Sequence, residues 1–285
     1  MYYLNSYTEA KSIKEACEIL KNNENAMIIA GGSDILVKIK DFKITNKDLV
    51  GITRINELKG ISKINDEIII NAATTFSEIE KNEIIKENIP ILAKSASLVG
   101  GPQIRNVATI GGNICNSAPS ADSAASLFAL NAEFIINGID YERQMPISDF
   151  YLGAGKNALK RGEILSKIKI KDYKNLSGTY IKFAQRKAMD IATIGVAVMM
   201  DYRQNHIKDL RLAYGVAAAV PLRAKSAEKY AIGKDIKDVD EICKIVLNDT
   251  NTRDSWRASK VFRDNLIKVL TKRAILELAG FSDEN

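Results

Sequence analysis

Cysteine and histidine are scarce in this chain of 285 residues: Cys17, Cys115 and Cys243 lie far apart in no CxxC pairing, and His206 is the single histidine. Thiolate and imidazole are the common ligands of structural zinc and of iron-sulfur clusters, so neither centre is expected on this chain alone. Long hydrophobic runs are missing as well. No stretch of 18 uncharged apolar residues occurs, and MYYLNSYTEAKSIKEACEIL lacks the basic start and continuous apolar core of a secretory signal. A membrane span and export are therefore not expected, and the cytoplasm is the expected location. Basic residues outnumber acidic ones by 41 to 35, for a formal charge of +6, yet they are spread along the chain and no basic patch interleaves with aromatics. Nucleic acid is not an expected partner. Neither G-x-G-x-x-G nor GxxxxGK[ST] is present, which disfavours the ordinary dinucleotide fold and the P-loop. There is also no internal repeat, no low-complexity segment and no nucleophile paired with a base, so no catalytic side chain and no metal ligand is expected.

What the sequence does contain is enough apolar material, 46%, to bury a substantial core in one large domain or in two to three lobes. SIKEACEILKNN (12–23) has the spacing of an amphipathic helix, and AMIIA (26–30) reads as a short buried strand running into a glycine pair. Ser33 or Asp34 can cap a short helix, ILVKIK. DLVGI (48–52) and EIIINAAT (67–74) alternate as strands, a helical pattern fills 76–99, and Gly100-Gly101-Pro102 must turn. SAASLFAL (123–130) reads as a helix and AEFIING (132–138) as a strand. KDYKNLSG (171–178) is polar and turn-forming, so a lobe boundary is expected near 175. Beyond it, residues 180–202, the turn Arg203-Gln204-Asn205 and residues 206–220 read as a long hairpin ending at Pro221. The remainder is expected to be helical. In the closing segment Val261, Phe262, Leu266, Val269, Leu270 and Ile275 follow helical spacing, and Gly280 sits where a C-cap glycine belongs.

Two glycine pairs stand out, in AGGSD (30–34) and in TIGGN (109–113). Glycine takes positive φ without a steric penalty and lets a ligand approach the backbone, and successive N–H groups at a strand-to-helix turn can cradle an anion. Singly, such a pair is more often a tight turn. Two cradles in one chain suggest one ligand with extended phosphate, held by backbone amides rather than by arginine.

AGGSD, QIRNVATIGGN (103–113), the NSAPSAD ending at Asp122, KFAQRKAMDIATI (182–194) and the closing RDSWRASKVFRDNLIKVLTKRA together resemble the FAD-binding subunit of molybdenum hydroxylases, the xanthine dehydrogenase and carbon monoxide dehydrogenase group. The resemblance runs from the first helix to the last. It implies an α+β protein: a vanillyl-alcohol-oxidase-like (PCMH-type) FAD-binding domain over 1–174, with two α+β lobes of about 1–54 and 55–174, then a C-terminal α+β lobe over 175–285. By matching motifs, Ile28, Ile29, Ala30, Gly31, Gly32, Ser33, Asp34 and Ile35 would wrap the FAD pyrophosphate. Thr109, Ile110, Gly111, Gly112 and Asn113 would form the second cradle, and Asp122 would hold a polar part of the cofactor. Leu165 falls where the family sets an apolar residue against the isoalloxazine, Lys182 where a basic residue borders the flavin, and Val99 where eukaryotic members have an aromatic. The implied function is electron transfer. Electrons would leave an organic substrate at a molybdopterin-binding subunit, cross the [2Fe-2S] clusters of an iron-sulfur subunit, reach this FAD and pass to NAD or another acceptor. The rival readings are a self-sufficient FAD-dependent oxidase or reductase of the same fold and a scaffold protein that has lost its ligand.

Read from the residues themselves, several positions keep two meanings. Arg105 is either half of a loop-bracing ion pair or a phosphate contact. Asp122 is a helix N-cap, a cofactor contact, or both. Lys182, on a strand, points to solvent or borders the flavin. Cys115 is a small buried residue or a redox thiol, and His206 is an exposed turn residue or something more.

Overall fold

The computed structural model describes residues 3–281. Strand β1 (Leu4–Glu9), helix α1 (Ile13–Asn22), β2 (Ala26–Ile29), α2 (Ile35–Lys40) and β3 (Lys47–Gly51) build a small parallel sheet in the order β1-β3-β2. Ser12 starts α1 by accepting the Glu15 N–H at 3.1 Å, which satisfies one of the free amides of a helix N-terminus. The first glycine pair lies between β2 and α2, at the C-terminal edge of the sheet.

A second, antiparallel sheet follows. Its strands β4 (Ile61–Ile64) and β5 (Glu67–Asn71) precede helices α3 (Phe76–Lys81), α4 (Glu83–Asn88), α5 (Pro90–Ser97), α6 (Pro102–Arg105), α7 (Ile110–Cys115) and α8 (Asp122–Ala129). Then come β6 (Glu133–Asn137), β7 (Glu142–Pro146), α9 (Ile147–Phe150), a two-stranded ribbon of β8 (Tyr151–Gly153) and β9 (Lys156–Asn157), and β10 (Ile164–Lys171). The spatial order is β4-β5-β10-β6-β7, so β10 returns to the centre of the sheet. The helical pattern at 76–99 is three helices rather than one. Asn82 is extended and caps α4, accepting from the Ile85 N–H, and Pro90 forces Ile89 out of the helical region to φ −141°, ψ 56°. Strand β5 stops at Asn71, short of the expected 74. The Ala72 and Thr74 carbonyls instead accept from Gly111 at 2.8 Å and Ile110 at 3.0 Å, which seats the start of α7 on the sheet end.

The third sheet, β11 (Ser177–Phe183), β12 (Ile194–Arg203), β13 (His206–Gly215) and β14 (Leu222–Arg223), is antiparallel in that order and is covered by α10 (Lys225–Ala231), α11 (Val239–Ile245) and α12 (Lys260–Leu278). Strand β12 is buried on both faces: Val196, Val198 and Met200 pack into the core with α12, and Ala197 and Met199 into the core with α5 and α8. The period of two divides its side chains between the cores. Every residue of α8 is buried. Its end is closed by Asn131 at φ +49°, with Asn131 and Ala132 N–H groups donating to Phe128 and Leu127 carbonyls. Gly280 closes α12 in the same way, as its sequence position suggests.

Three sequence expectations are corrected here. The hairpin at 180–202 is two strands separated by a loop over 184–193, where Asp190 accepts the Arg186 and Ile191 N–H groups and Met189 adopts φ +55°. The segment after Pro221 begins with the short strand β14 before its helices. On α12, Leu266, Leu270 and Ile275 are buried, but Val261, Phe262 and Val269 are exposed. The buried stripe runs instead through Arg263, Ile267, Thr271 and Ala274, because Thr271 takes a 2.8 Å hydrogen bond with Tyr214 and Arg263 binds the Thr193 carbonyl. Apolar spacing alone could not include them.

Candidate functional site

The first glycine turn, the α6–α7 region and the start of β10 enclose a cleft of about 360 Å³, within the ordinary range for small-molecule sites. Its lining includes Ile28, Ala30, Gly31, Gly32, Ser33, Asp34 and Ile35 on one side, Val99, Thr109, Gly111, Gly112 and Asn113 on another, and Leu165 at the end of the third. Thirteen of the seventeen candidate positions thus meet around one space. Ile29 and Ile110 are not among its lining residues; Ile110 is packed in the core. Asp122 and Lys182 lie elsewhere.

The two glycine stretches do different work. Gly32 adopts φ +75°, a region costly for any residue with a Cβ. It is buried, and among the described residues no acceptor meets the N–H groups of Gly31, Gly32, Ser33 or Asp34. Of the four only Gly32 is buried, and an unpaired buried amide is rare, so this turn has the free donors that an anion cradle requires. The TIGGN stretch is different, because its amides are already used. Ile110 donates to Thr74 O, Gly111 to Ala72 O, Gly112 to Thr109 Oγ1 at 3.2 Å, and Asn113 to Thr109 O. Gly111 is required by packing, since a Cβ there would lie 2.6 Å from the Ala72 Cβ. Gly31 is required likewise: its Cβ would sit 1.8 Å from the Val107 carbonyl oxygen, which is how the two loops come together. The expectation of two equivalent amide cradles is corrected to one open cradle and one close-packed helix start.

The opposite wall is apolar, from Ile52, Val99, Ile104, Leu159 and Leu165. It is braced by charge. Arg105 donates Nε to Glu80 at 2.9 Å and Nη1 to the Val99 carbonyl at 3.3 Å, the ion-pair reading of that residue. Beneath Leu159 and Leu165, the enclosed Glu163 carboxylate accepts Nε and Nη2 of Arg143 at 2.7 Å each, the Tyr141 hydroxyl at 2.9 Å and the Lys160 N–H at 2.6 Å. The Arg143 hydrogen bonds, helped by those from Lys160 and Tyr141, hold its carboxyl down at about 2. Cys115 lines the cleft, and burial of its sulfur pushes the thiol up to about 12, so it stays protonated and unreactive at neutral pH. His206 is an exposed strand residue beside the Gln204-Asn205 turn. Lys38, a turn of helix beyond Asp34, also reaches the cleft and donates to Asn116 Oδ1 at 2.7 Å. It was legible only from its i, i+4 relation to Asp34.

Asp122 and Lys182 form a buried pair. Lys182 Nζ donates to Asp122 Oδ2 at 2.7 Å and to the Leu98 carbonyl at 3.0 Å, and the Tyr180 hydroxyl donates to Asp122 Oδ1 at 2.9 Å. The side chains of Lys182 and Asp122 are only 8% and 9% exposed. The solvent-facing reading of Lys182 is therefore wrong, as is the N-cap reading of Asp122: Ala121 is the cap of α8, with no side-chain bond. Lys182 lies opposite Gly195, whose missing side chain makes room for the Tyr180 hydroxyl: a Cβ there would lie 2.6 Å from it. Burial pushes the Asp122 carboxyl up, opposed by Lys182 and Tyr180, and pushes the Tyr180 hydroxyl well above its ordinary value. Lys182 also borders a second hollow of about 260 Å³ formed with Leu98 and the 183–190 loop. Among the described residues no helix is long and apolar enough to cross a membrane.

The chain matches the FAD binding domain in molybdopterin dehydrogenase over residues 3–170 and the CO dehydrogenase flavoprotein C-terminal domain over 179–278. It is 38% identical over 282 residues to the xanthine dehydrogenase FAD-binding subunit of Escherichia coli O157:H7, covering 97% of each chain. It is 31% identical over 229 residues to the carbon monoxide dehydrogenase medium chain of Hydrogenophaga pseudoflava, covering 80% of each. A solved structure of carbon monoxide dehydrogenase from Hydrogenophaga pseudoflava superposes with a TM-score of 0.94 at 27% identity, covering 98% of this chain and 99% of that one. The chain has the α+β architecture of these relatives and belongs to the FAD-binding medium subunits of the xanthine dehydrogenase and carbon monoxide dehydrogenase family of oxidoreductases.

Proposed function

We propose that FAD lies along the cleft with its pyrophosphate on the Gly31–Asp34 amides and its isoalloxazine between Val99 and Leu165, and that the chain relays electrons from an iron-sulfur subunit to NAD or another acceptor. The observation that carries this is the run of unpaired amides at Gly31–Asp34 facing an apolar wall across one cleft. Backbone N–H groups can neutralise a pyrophosphate, and a flat apolar ring system suits Ile104, Val99 and Leu165. Bound there, FAD supplies the redox chemistry, and the protein supplies binding, orientation and exclusion of water. Thr109 and Asn113 close the cleft beside the cradle, and Lys38 places a cation near the phosphates. Asp122 and Lys182 act as positioning residues: by holding the Leu98 carbonyl they set the turn that carries Val99. The molybdopterin and the [2Fe-2S] clusters belong to partner subunits, the place of work is the cytoplasm, and the hydroxylated substrate is chosen by the molybdopterin-binding subunit.

The test is Gly32→Ala in the assembled complex. A Cβ at φ +75° costs about 1–2 kcal/mol, and it would sit 3.0 Å from the Leu36 side chain, shifting the cradle. FAD retained per chain after gel filtration, read from flavin absorbance, should fall about tenfold at limiting FAD, with the circular dichroism of the chain unchanged. Full flavin occupancy in this variant would show that the pyrophosphate is held elsewhere.

A further inference from the structure

The loop 184–193 and the segment leading into α12 leave an apolar surface uncovered. Trp256 is 79% and Val261 72% exposed, and Phe262, Met189 and Ile191 are each nearly half exposed. The two segments form one structure. Gln185 Nε2 donates to the Arg257 carbonyl at 3.4 Å, and the Phe183 and Phe262 rings meet edge-on with centroids 5.8 Å apart. Arg263, almost fully buried, donates to Thr193 O at 2.5 Å and to Ser255 Oγ at 2.8 Å, tying the loop to the segment.

The face is also positive. Arg186, Lys187, Arg253, Arg257 and Lys260 stand in these stretches; Arg186 pairs with Asp190 and Lys260 with Asp264, and Asp254 is spent on the Lys260 N–H, which leaves Lys187, Arg253 and Arg257 as the uncompensated charges of the face. Among the described residues no carboxylate pairs with Arg253, Arg257 or Arg263. The Arg257 guanidinium instead stacks over the Trp256 ring at 4.2 Å, and the Nε atoms of Arg257 and Arg263 are buried without a partner. Tryptophan, arginine, methionine and phenylalanine are the residue types enriched at the centres of protein interfaces. A monomer gains nothing by leaving such a stack in water.

The face adjoins the cleft. Loop residues 184–190 border the hollow at Leu98 and Lys182, and Val99, next in sequence to Leu98, lines the cleft itself. Two copies of this face would oppose arginine to arginine, a repulsive arrangement, so the complementary surface is acidic with an apolar centre. We propose that this is the docking surface for the electron-donating partner chain; the proposal rests on the FAD-subunit reading, since a donor must bind close to the cleft.

The test uses the full chain expressed with its iron-sulfur and molybdopterin partners. The variants are Val261→Asp, and Trp256→Ser combined with Arg257→Glu. Phe42→Ser, an exposed position in the turn after α2, is the control. Affinity for the tagged iron-sulfur chain should fall at least about 30-fold in the face variants and hold in the control, as loss of an interface centre requires. Wild-type affinity should fall as salt rises. Amide exchange over 184–191 and 253–262 should slow when the wild-type complex forms. Unchanged affinity in the face variants, unchanged exchange there on assembly, or a homodimer that the Trp256 variant dissolves would each overturn the assignment. Flavin content is read separately on every sample. An assembled complex without flavin would instead count against the function reading and leave the docking result standing.

Discussion

The Glu163 clamp makes the sharpest prediction, because its charge, its partners and its place under the cleft wall are all defined. Its carboxyl has an ordinary value of 4.5 and sits at about 2 in the folded chain. A depressed folded value contributes stability that is complete above the unfolded value and is lost as pH falls through the folded one. The difference corresponds to roughly 3 kcal/mol at neutral pH. By about pH 3.5 the unfolded carboxylate is mostly protonated while the folded one is not, and on the order of 1 kcal/mol of that contribution is gone. Glu163→Gln keeps the shape and a hydrogen-bonding head but removes the titration. The assay is urea unfolding of the full chain and of Glu163→Gln at pH 7 and at about pH 3.5, each compared at the same pH so that all other carboxylates cancel. The wild type should be the more stable by a margin that narrows by on the order of 1 kcal/mol at the lower pH. A margin that stays constant, or widens in acid, would mean that the Arg143 clamp does not hold a carboxylate, and the bracing of Leu159 and Leu165 would need another source.

Two further substitutions separate packing from binding. Gly111→Ala places a Cβ 2.6 Å from Ala72 Cβ and 2.7 Å from Ala72 O, so it should destabilise the flavin-free chain by about 1–3 kcal/mol in a denaturant titration, through crowding at an amide that is already paired. Asp122→Asn keeps an acceptor for Tyr180 but strands the Lys182 cation in a dry setting; it should cost about 3 kcal/mol, seen as a fall in Tm. The double variant Asp122→Asn, Lys182→Met should recover most of that loss, and failure to recover would show that the two residues are not energetically coupled.

Local signals read well where one residue decides a local event. Asp34 at the cap position of α2, the glycine at 32 with its positive φ, and Gly280 beyond the last helix are each specified by one residue's backbone needs. Tertiary partners were invisible for a physical reason. Which glycine pair keeps unpaired amides and which packs on Ala72 depends on the neighbour across the fold, although the dipeptide is the same at 31–32 and 111–112. The inward turn of Lys182 depends on the Leu98 carbonyl and on Asp122 some sixty residues earlier. Helical spacing picked Val261, Phe262 and Val269 for the core because they are apolar, while the fold buries Arg263 and Thr271, whose polar atoms have partners waiting.

That last exchange bears on how the molecule joins its parts. Arg263 ties α12 to the loop at Thr193, and Lys182 ties β11 to α8 through Asp122 and to the α5 end through Leu98. A pair of well-packed apolar side chains could hold these elements with comparable free energy, since a buried ion pair loses in desolvation much of what it gains by attraction. What an apolar pair cannot do is fix direction. An ammonium with three donors reaches Asp122 Oδ2 and the Leu98 carbonyl together only when the third sheet and the Leu98–Gly101 turn stand in one relation. Any slippage leaves a buried charge or a buried carbonyl unpaired, at a cost of several kcal/mol. Val99 follows Leu98 into the cleft wall, so the C-terminal sheet sets the position of a wall residue it never touches through the cleft. Charge at this join therefore specifies geometry more than it adds stability, and the cleft inherits its shape from both ends of the chain.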